Sequence, residues 1–209
     1  MSPTVRPGQH AMEILDLRPA CTTLARVVGS IRDDQLAGPT PCPAYTVADL
    51  VDHVLGLALA FTAAARKEEL AGPADPSGDG TRLPDGWRDL AAERLDALAT
   101  AWADPAAYDG LTTAGGVELP GGVTALVALD EVVVHGWDLA RATGQEYDAD
   151  PDAVAACLEF AASFEPPADD TGGAADTGLF GPPVPVPDDA PVLDRLVGAT
   201  GRHPHWVPA

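Results

Sequence analysis

Apolar residues along this chain recur mostly at helical spacing. Ile14, Leu17, Cys21, Leu24, Val27, Val28 and Ile31 follow a three-and-four rhythm and predict a first helix from Glu13 to Leu36. Pro19 is awkward inside it and suits a late start. Gly38-Pro39-Thr40-Pro41-Cys42-Pro43 then breaks the chain, because proline removes amide donors and forces extended backbone. A second helix opens at Thr46, where Thr46 and Asp49 stand as a capping box, and runs to Arg66 and Lys67. Val47, Leu50, Val51, Val54, Leu55, Leu57 and Phe61 give it a broad apolar face, and His53 lies within that face.

Gly72 to Gly80 reads as a loop, and a third helix spans Asp85 to Ala103 on Trp87, Leu90, Leu95, Leu98 and Trp102. Thr112 to Leu119 either pairs as a short strand or extends along the bundle. A fourth helix, Val123 to Thr143, is apolar almost all round, the mark of a buried helix. Its valine run alone would also fit a strand, but its length and the stop at Gly144 favour a helix. A shorter helix from Asp152 to Ser163 enters through Pro151, and Val192 to Ala199 predicts a last turn or two. Between them, residues 166–190 are rich in Pro, Gly, Asp and Ala, an irregular surface segment in which Phe180 to Pro187 runs extended. The sum is an all-α fold: one helical domain over residues 12–209 behind a flexible leader, residues 1–11.

Composition sharpens this. The 209 residues are 46% hydrophobic but only 5% aromatic, which suits closely packed Ala- and Leu-rich helices. Net charge is −20, a surface that repels phosphate backbones and anionic membranes. Nucleic acid and membrane are therefore excluded as partners, and no apolar run reads as long and uncharged enough for a bilayer. The three cysteines, Cys21, Cys42 and Cys157, are too scattered for a disulfide scaffold or a cysteine-rich zinc site. The first ten residues lack the apolar core of a signal peptide, so a cytoplasmic location is expected.

The chemistry concentrates in Asp130-Glu-Val-Val-Val-His-Gly-Trp-Asp138. Glu131 and His135 are separated by one helical turn and share a face that continues at Asp138. Their flanks are apolar, and a buried carboxylate without a partner costs roughly several kcal/mol. It needs a proton, a cation or a metal. His53 is the natural third member, although a lone histidine on an apolar face is more often a satisfied core residue than a ligand. Two imidazoles and one carboxylate form a common catalytic zinc set with an open position, and the same set serves ferrous iron. Asp138 could orient a ligand or fix Arg141. Asp49, one turn before His53 on the same face, could support His53, and Asp52 is the alternative. His10, His203 and His205 are weaker candidates, and Cys42 reads as a small buried thiol before the His53 helix. GxGxxG, P-loop and GxSxG patterns are lacking, so nucleotide-binding and serine-hydrolase readings have no support.

Two stretches carry a family resemblance: Thr40-Pro-Cys-Pro-Ala-Tyr-Thr-Val-Ala-Asp-Leu-Val-Asp-His53-Val-Leu-Gly56 and Glu131-Val-Val-Val-His135-Gly-Trp-Asp138-Leu-Ala140. They resemble the signatures of the actinobacterial metal-binding bundle proteins, the family of the mycothiol-dependent maleylpyruvate isomerase N-terminal domain within the DinB-like superfamily. The resemblance implies a four-helix bundle with a zinc-type metal near one end of its core, nickel or iron being also compatible, held by His53, Glu131 and His135. It implies a metal that activates a small thiol such as mycothiol for transfer or isomerisation, with an electrophilic small molecule as the other substrate. The isomerase carries an additional C-terminal domain, and the corresponding region here is short and Pro/Gly-rich, which points away from maleylpyruvate isomerisation itself. The competing expectations are a non-catalytic metal- or ligand-binding sensor, and a metal-assisted hydrolase with Asp138 as base. Exposed apolar helix faces lean towards a homodimer.

Overall fold

The computed structural model describes residues 14–69, 77–163 and 180–208. The expected leader, with His10, and most of the 72–80 and 166–190 stretches lie outside these. Four helices build the bundle: α1 (Arg18–Gly29), α2 (Val47–Arg66), α3 (Trp87–Trp102) and α4 (Gly121–Thr143). Both α1 and α2 pack on α3 and on α4, so the four surround one core. Leu24, Leu50, Leu95, Leu98, Trp102 and Leu129 fill it with almost no exposure. A small antiparallel hairpin, β1 (Leu111–Ala114) and β2 (Val117–Pro120), lies against α2 and α4. Then α5 (Pro151–Ala162) packs on α4, and α6 (Val192–Ala199) packs on α5. The fold is all-α and DinB-like.

The second helix begins as its residues dictate. Thr46 Oγ1 accepts from the Asp49 amide at 3.3 Å, and Asp49 Oδ2 accepts from the Thr46 amide at 3.0 Å. This reciprocal cap satisfies two amides that the first helical turn leaves open. By length and composition α2 could cross a bilayer, with a mean hydropathy of 1.6, contrary to the expectation that no run would qualify. Most of its apolar residues, among them Leu50, Val54, Ala58, Phe61 and Ala65, instead pack in the bundle core, while Leu59 is exposed.

The first helix departs further from expectation. It spans Arg18–Gly29 rather than Glu13 to Leu36, with only a 3₁₀ turn at Asp33–Gln35 beyond it. Pro19 falls in its first turn, where a missing amide costs nothing. Its end is a tertiary effect. Arg32 is extended, and its amide donates to Gln35 Oε1 at 2.9 Å. The Ile31 carbonyl is taken by the Arg88 guanidinium at 2.7 and 3.0 Å. Both backbone groups find partners outside a helix, so continuing the helix gains nothing.

Thr112 to Leu119 pairs as the hairpin, with Thr112 opposite Leu119. Downstream, the extended segment after Phe180 docks on α6: the Val184 amide donates to the Gly198 carbonyl at 2.9 Å. Phe180 meets Phe160 of α5 edge to face, with ring centroids 6.1 Å apart.

Candidate metal centre

α2 carries His53 and α4 carries Glu131 and His135, and the packing of these two helices brings all three together. One donor atom from each lies within 4.8 Å of the others, close enough for a single ion to reach all three. His135 Nε2 is 2.9 Å from Glu131 Oε2, and His53 Nε2 is 4.0 Å from the same oxygen. The two imidazoles stand edge to face at 5.1 Å, and the Tyr45 ring covers His53 at 5.1 Å. Beside Glu131 lies a small apolar crevice lined by Leu24, Val54, Phe61, Leu98 and Ala128.

Electrostatics follow from this enclosure. Burial opposes the His135 imidazolium, but hydrogen bonds from Asp138 and Glu131 outweigh it and push its pKa up to about 9. Burial likewise opposes the Glu131 carboxylate, yet His135, His53 and Arg202 together hold it below the usual carboxylate range. The next residue along, Asp130, is buried beside that charge. Desolvation and the Glu131 charge push its pKa up to about 8, which leaves it a neutral acid at pH 7.

Asp138 has 0% side-chain exposure, so its charge must be met locally. Its Oδ2 faces His135 Nδ1 at 3.0 Å and accepts from Arg202 Nη2 at 3.2 Å. The first contact fixes which ring nitrogen of His135 is directed at Glu131. Arg141, expected as the partner of Asp138, instead donates to the Pro204 carbonyl at 2.8 Å and lies 5.7 Å from the Trp137 ring. The last turn of α4 points Arg141 towards the tail, and Arg202 takes the inward position.

Asp49 caps its own helix with Oδ2 and accepts from the Gly80 amide with Oδ1 at 2.8 Å. Asp52 accepts from Arg82 and from the Asp79 amide. Both carboxylates are thus engaged with the 79–82 segment laid over the start of α2. Cys42 is half-buried near the centre; burial and then the Asp138 charge raise its thiol pKa, against the pull of Arg202. His203 and His205 are exposed in the tail. Sequence reasoning missed Arg202 and Asp130. The signal for Arg202 was there: a carboxylate in an apolar helix demands a cation, and Arg202 is one of only 12 basic residues.

Fold and site together define a helical-bundle protein with a two-histidine, one-carboxylate cluster across two core helices. The chain belongs to the mycothiol maleylpyruvate isomerase N-terminal domain family, whose model matches residues 17–140. Two uncharacterized proteins of Mycobacterium tuberculosis, from strains CDC 1551 / Oshkosh and ATCC 25618 / H37Rv, are each 33% identical over 185 residues, covering 85% of this chain and 91% of theirs. The crystal structure of the mycothiol-dependent maleylpyruvate isomerase aligns with a TM-score of 0.54 at 20% identity, over 69% of this chain and 66% of that one. That likeness is one of fold.

Proposed function

We propose that this protein is a metal- and thiol-dependent transferase or isomerase of the cytoplasm, with His53, Glu131 and His135 as ligands of a divalent ion, zinc foremost. The observation that carries the reading is the donor set itself: two imidazole nitrogens and a carboxylate oxygen within 4.8 Å at the junction of two buried helices. Three protein ligands leave a coordination position open, as catalytic sites do and closed structural sites do not. The family supplies the thiol, mycothiol, and hence an electrophilic small molecule as co-substrate.

When bound, the metal would lower the pKa of a thiol and hold it as thiolate at neutral pH. The chain's own residues prepare that. Asp138 holds the Nδ1 side of His135 as a donor, so that Nε2 is the nitrogen that gives up its proton and ligates. The proton shared by His135 Nε2 and Glu131 Oε2 must leave when both atoms ligate, so binding releases a proton. In the reaction, the thiol S–H bond breaks and its proton goes to solvent; the sulfur adds to one carbon of an electron-poor C=C bond, whose π pair moves to the neighbouring carbon and takes up a proton from solvent. The adduct is the product of a transferase; an isomerase expels the thiol again after the substrate bond has turned. The hydrolase reading is less favoured, because Oδ2 of Asp138, its one nearby base, is already shared by His135 and Arg202, which leaves only the buried Oδ1 without a hydrogen-bond partner.

Elemental analysis of the purified protein, paired with a mycothiol-conjugation assay against an electrophilic dye, tests this. Wild type should hold about one metal per chain, and His53→Ala, Glu131→Ala and His135→Ala should each lose it with the thiol activity. Full occupancy in His53→Ala and His135→Ala would show the site to be misassigned.

A further inference from the structure

Arg202 lies beyond the last helix and outside the region that the family model matches, which ends at residue 140. It nevertheless delivers the cation that Asp138 accepts at 3.2 Å, 64 residues away in sequence. Its placement is over-determined. The Arg202 amide donates to the Val197 carbonyl at 2.7 Å, and Nη1 donates to the Thr200 carbonyl at 2.6 Å. Thr200 is fully buried and donates in turn to the carbonyls of Leu196 and Val197. Gly201, at φ +87, turns the chain between them; a Cβ there would stand 3.0 Å from the Gly181 backbone. The end of α6 is thus a seat that aims one guanidinium at one oxygen.

That oxygen also faces His135 Nδ1 at 3.0 Å, so Arg202 and His135 share Asp138 Oδ2. Once His135 gives up its Nε2 proton to ligate a metal, its neutral imidazole gives the buried carboxylate one hydrogen bond and no countercharge. Without the guanidinium, the carboxylate would carry an uncompensated charge in the core and would be free to rotate away from the ring. We propose that Arg202 is a positioning residue of the metal centre: by pairing with Asp138 it fixes the carboxylate that orients His135, so the C-terminal segment completes a site whose ligands all lie upstream. This rests on the reading of His53, Glu131 and His135 as metal ligands.

Zinc affinity, measured by competition with a chromophoric chelator, tests it together with the imidazole N–H proton spectrum of the protein. Arg202→Met should weaken zinc binding by about 10- to 100-fold, the usual cost of losing a group that orients a ligand. It should also broaden the His135 Nδ1–H signal, which in the wild type should be sharp and slow to exchange. Arg202→Lys, which keeps the charge but not the two-ended fork, should recover most of both. Arg141→Met, which loosens the tail at Pro204 alone, should change affinity far less. If Arg202→Met fails to fold, Arg202→Gln serves in its place with the same expected loss. Wild-type affinity and an unchanged N–H signal in the folded variant would overturn the proposal. Equal losses in the Arg202 and Arg141 variants would overturn it too, assigning the effect to tail packing. Failure of the wild type to bind zinc would instead sink the metal reading, while the N–H signal still reports whether Arg202 orders His135.

Discussion

Asp130 and His135 are both protonated in the folded chain at pH values where an unfolded chain would have released the proton. For His135 the pKa rises from 6.5 to about 9, and for Asp130 from 3.8 to about 8. The folded state therefore binds more protons than the unfolded one across these windows, and stability must fall as pH rises. The contribution of His135 is whole below pH 6.5 and is lost as pH passes about 9; that of Asp130 is whole below pH 3.8 and is lost as pH passes about 8. Chelator-treated protein should thus show urea midpoints that decline from pH 6 to pH 9. Asp130→Asn should flatten part of the decline, and a midpoint that climbs over this range would contradict the assignment. At this scale the sequence was informative about which polar residues cluster in the core and poor about their partners. Glu131 and His135 declare themselves by one-turn spacing in an apolar run, and His53 by its place in another. Arg202 is signalled only indirectly, by the demand of a buried carboxylate for a cation, since a contact between residues 138 and 202 leaves no local pattern.

Among the helices, α4 shows how environment settles what local propensity leaves open. Val132, Val133 and Val134 are β-branched and would suit a strand, yet each is buried within a helix, as its length and Gly144 suggested. The end of α1 shows the converse. Its apolar rhythm continues through Ile31, but Arg88 and Gln35 claim the backbone groups that a longer helix would need, and neither claim is visible locally. Gly136 ties α4 to the site in a way that spacing does not reveal. A Cβ there would lie 2.5 Å from Tyr147 Oη, which donates to the Val133 carbonyl at 2.8 Å. Tyr147 is therefore packed directly on the backbone beside His135. Gly136→Ala should destabilise the protein by about 1–3 kcal/mol, the usual cost of overpacking, even though alanine is the better helix former. It should also weaken metal binding by displacing the α4 turn that carries His135. Urea denaturation and chelator competition measure the two effects, and an alanine variant as stable as wild type would show that Tyr147 yields without cost.

For the molecule as a whole, the three candidate donors come from two helices that are separated in sequence and meet only in the folded bundle. His53 stands on α2, while Glu131 and His135 stand on α4, so an ion bound to all three ties together the two halves of the core. The unfolded chain offers no such cluster, and binding energy becomes folding energy. With zinc at 100 times its Kd the gain is about 2.7 kcal/mol, which for a domain of this size raises Tm by roughly 5–11 °C. The surface charge does not supply this. With 32 acidic residues against 12 basic ones, exposed carboxylates bind divalent ions weakly wherever they cluster, and weak binding of that kind would raise Tm in any variant. The two sources separate by substitution. His53→Ala and His135→Ala leave the net surface charge untouched, so a diffuse effect survives in both, whereas a shift due to the bridging site vanishes from each alone. Calorimetric scans of wild type and the two variants, with zinc and with chelator, should show the shift in wild type only, and equal shifts in all three would place the stabilising ion on the surface.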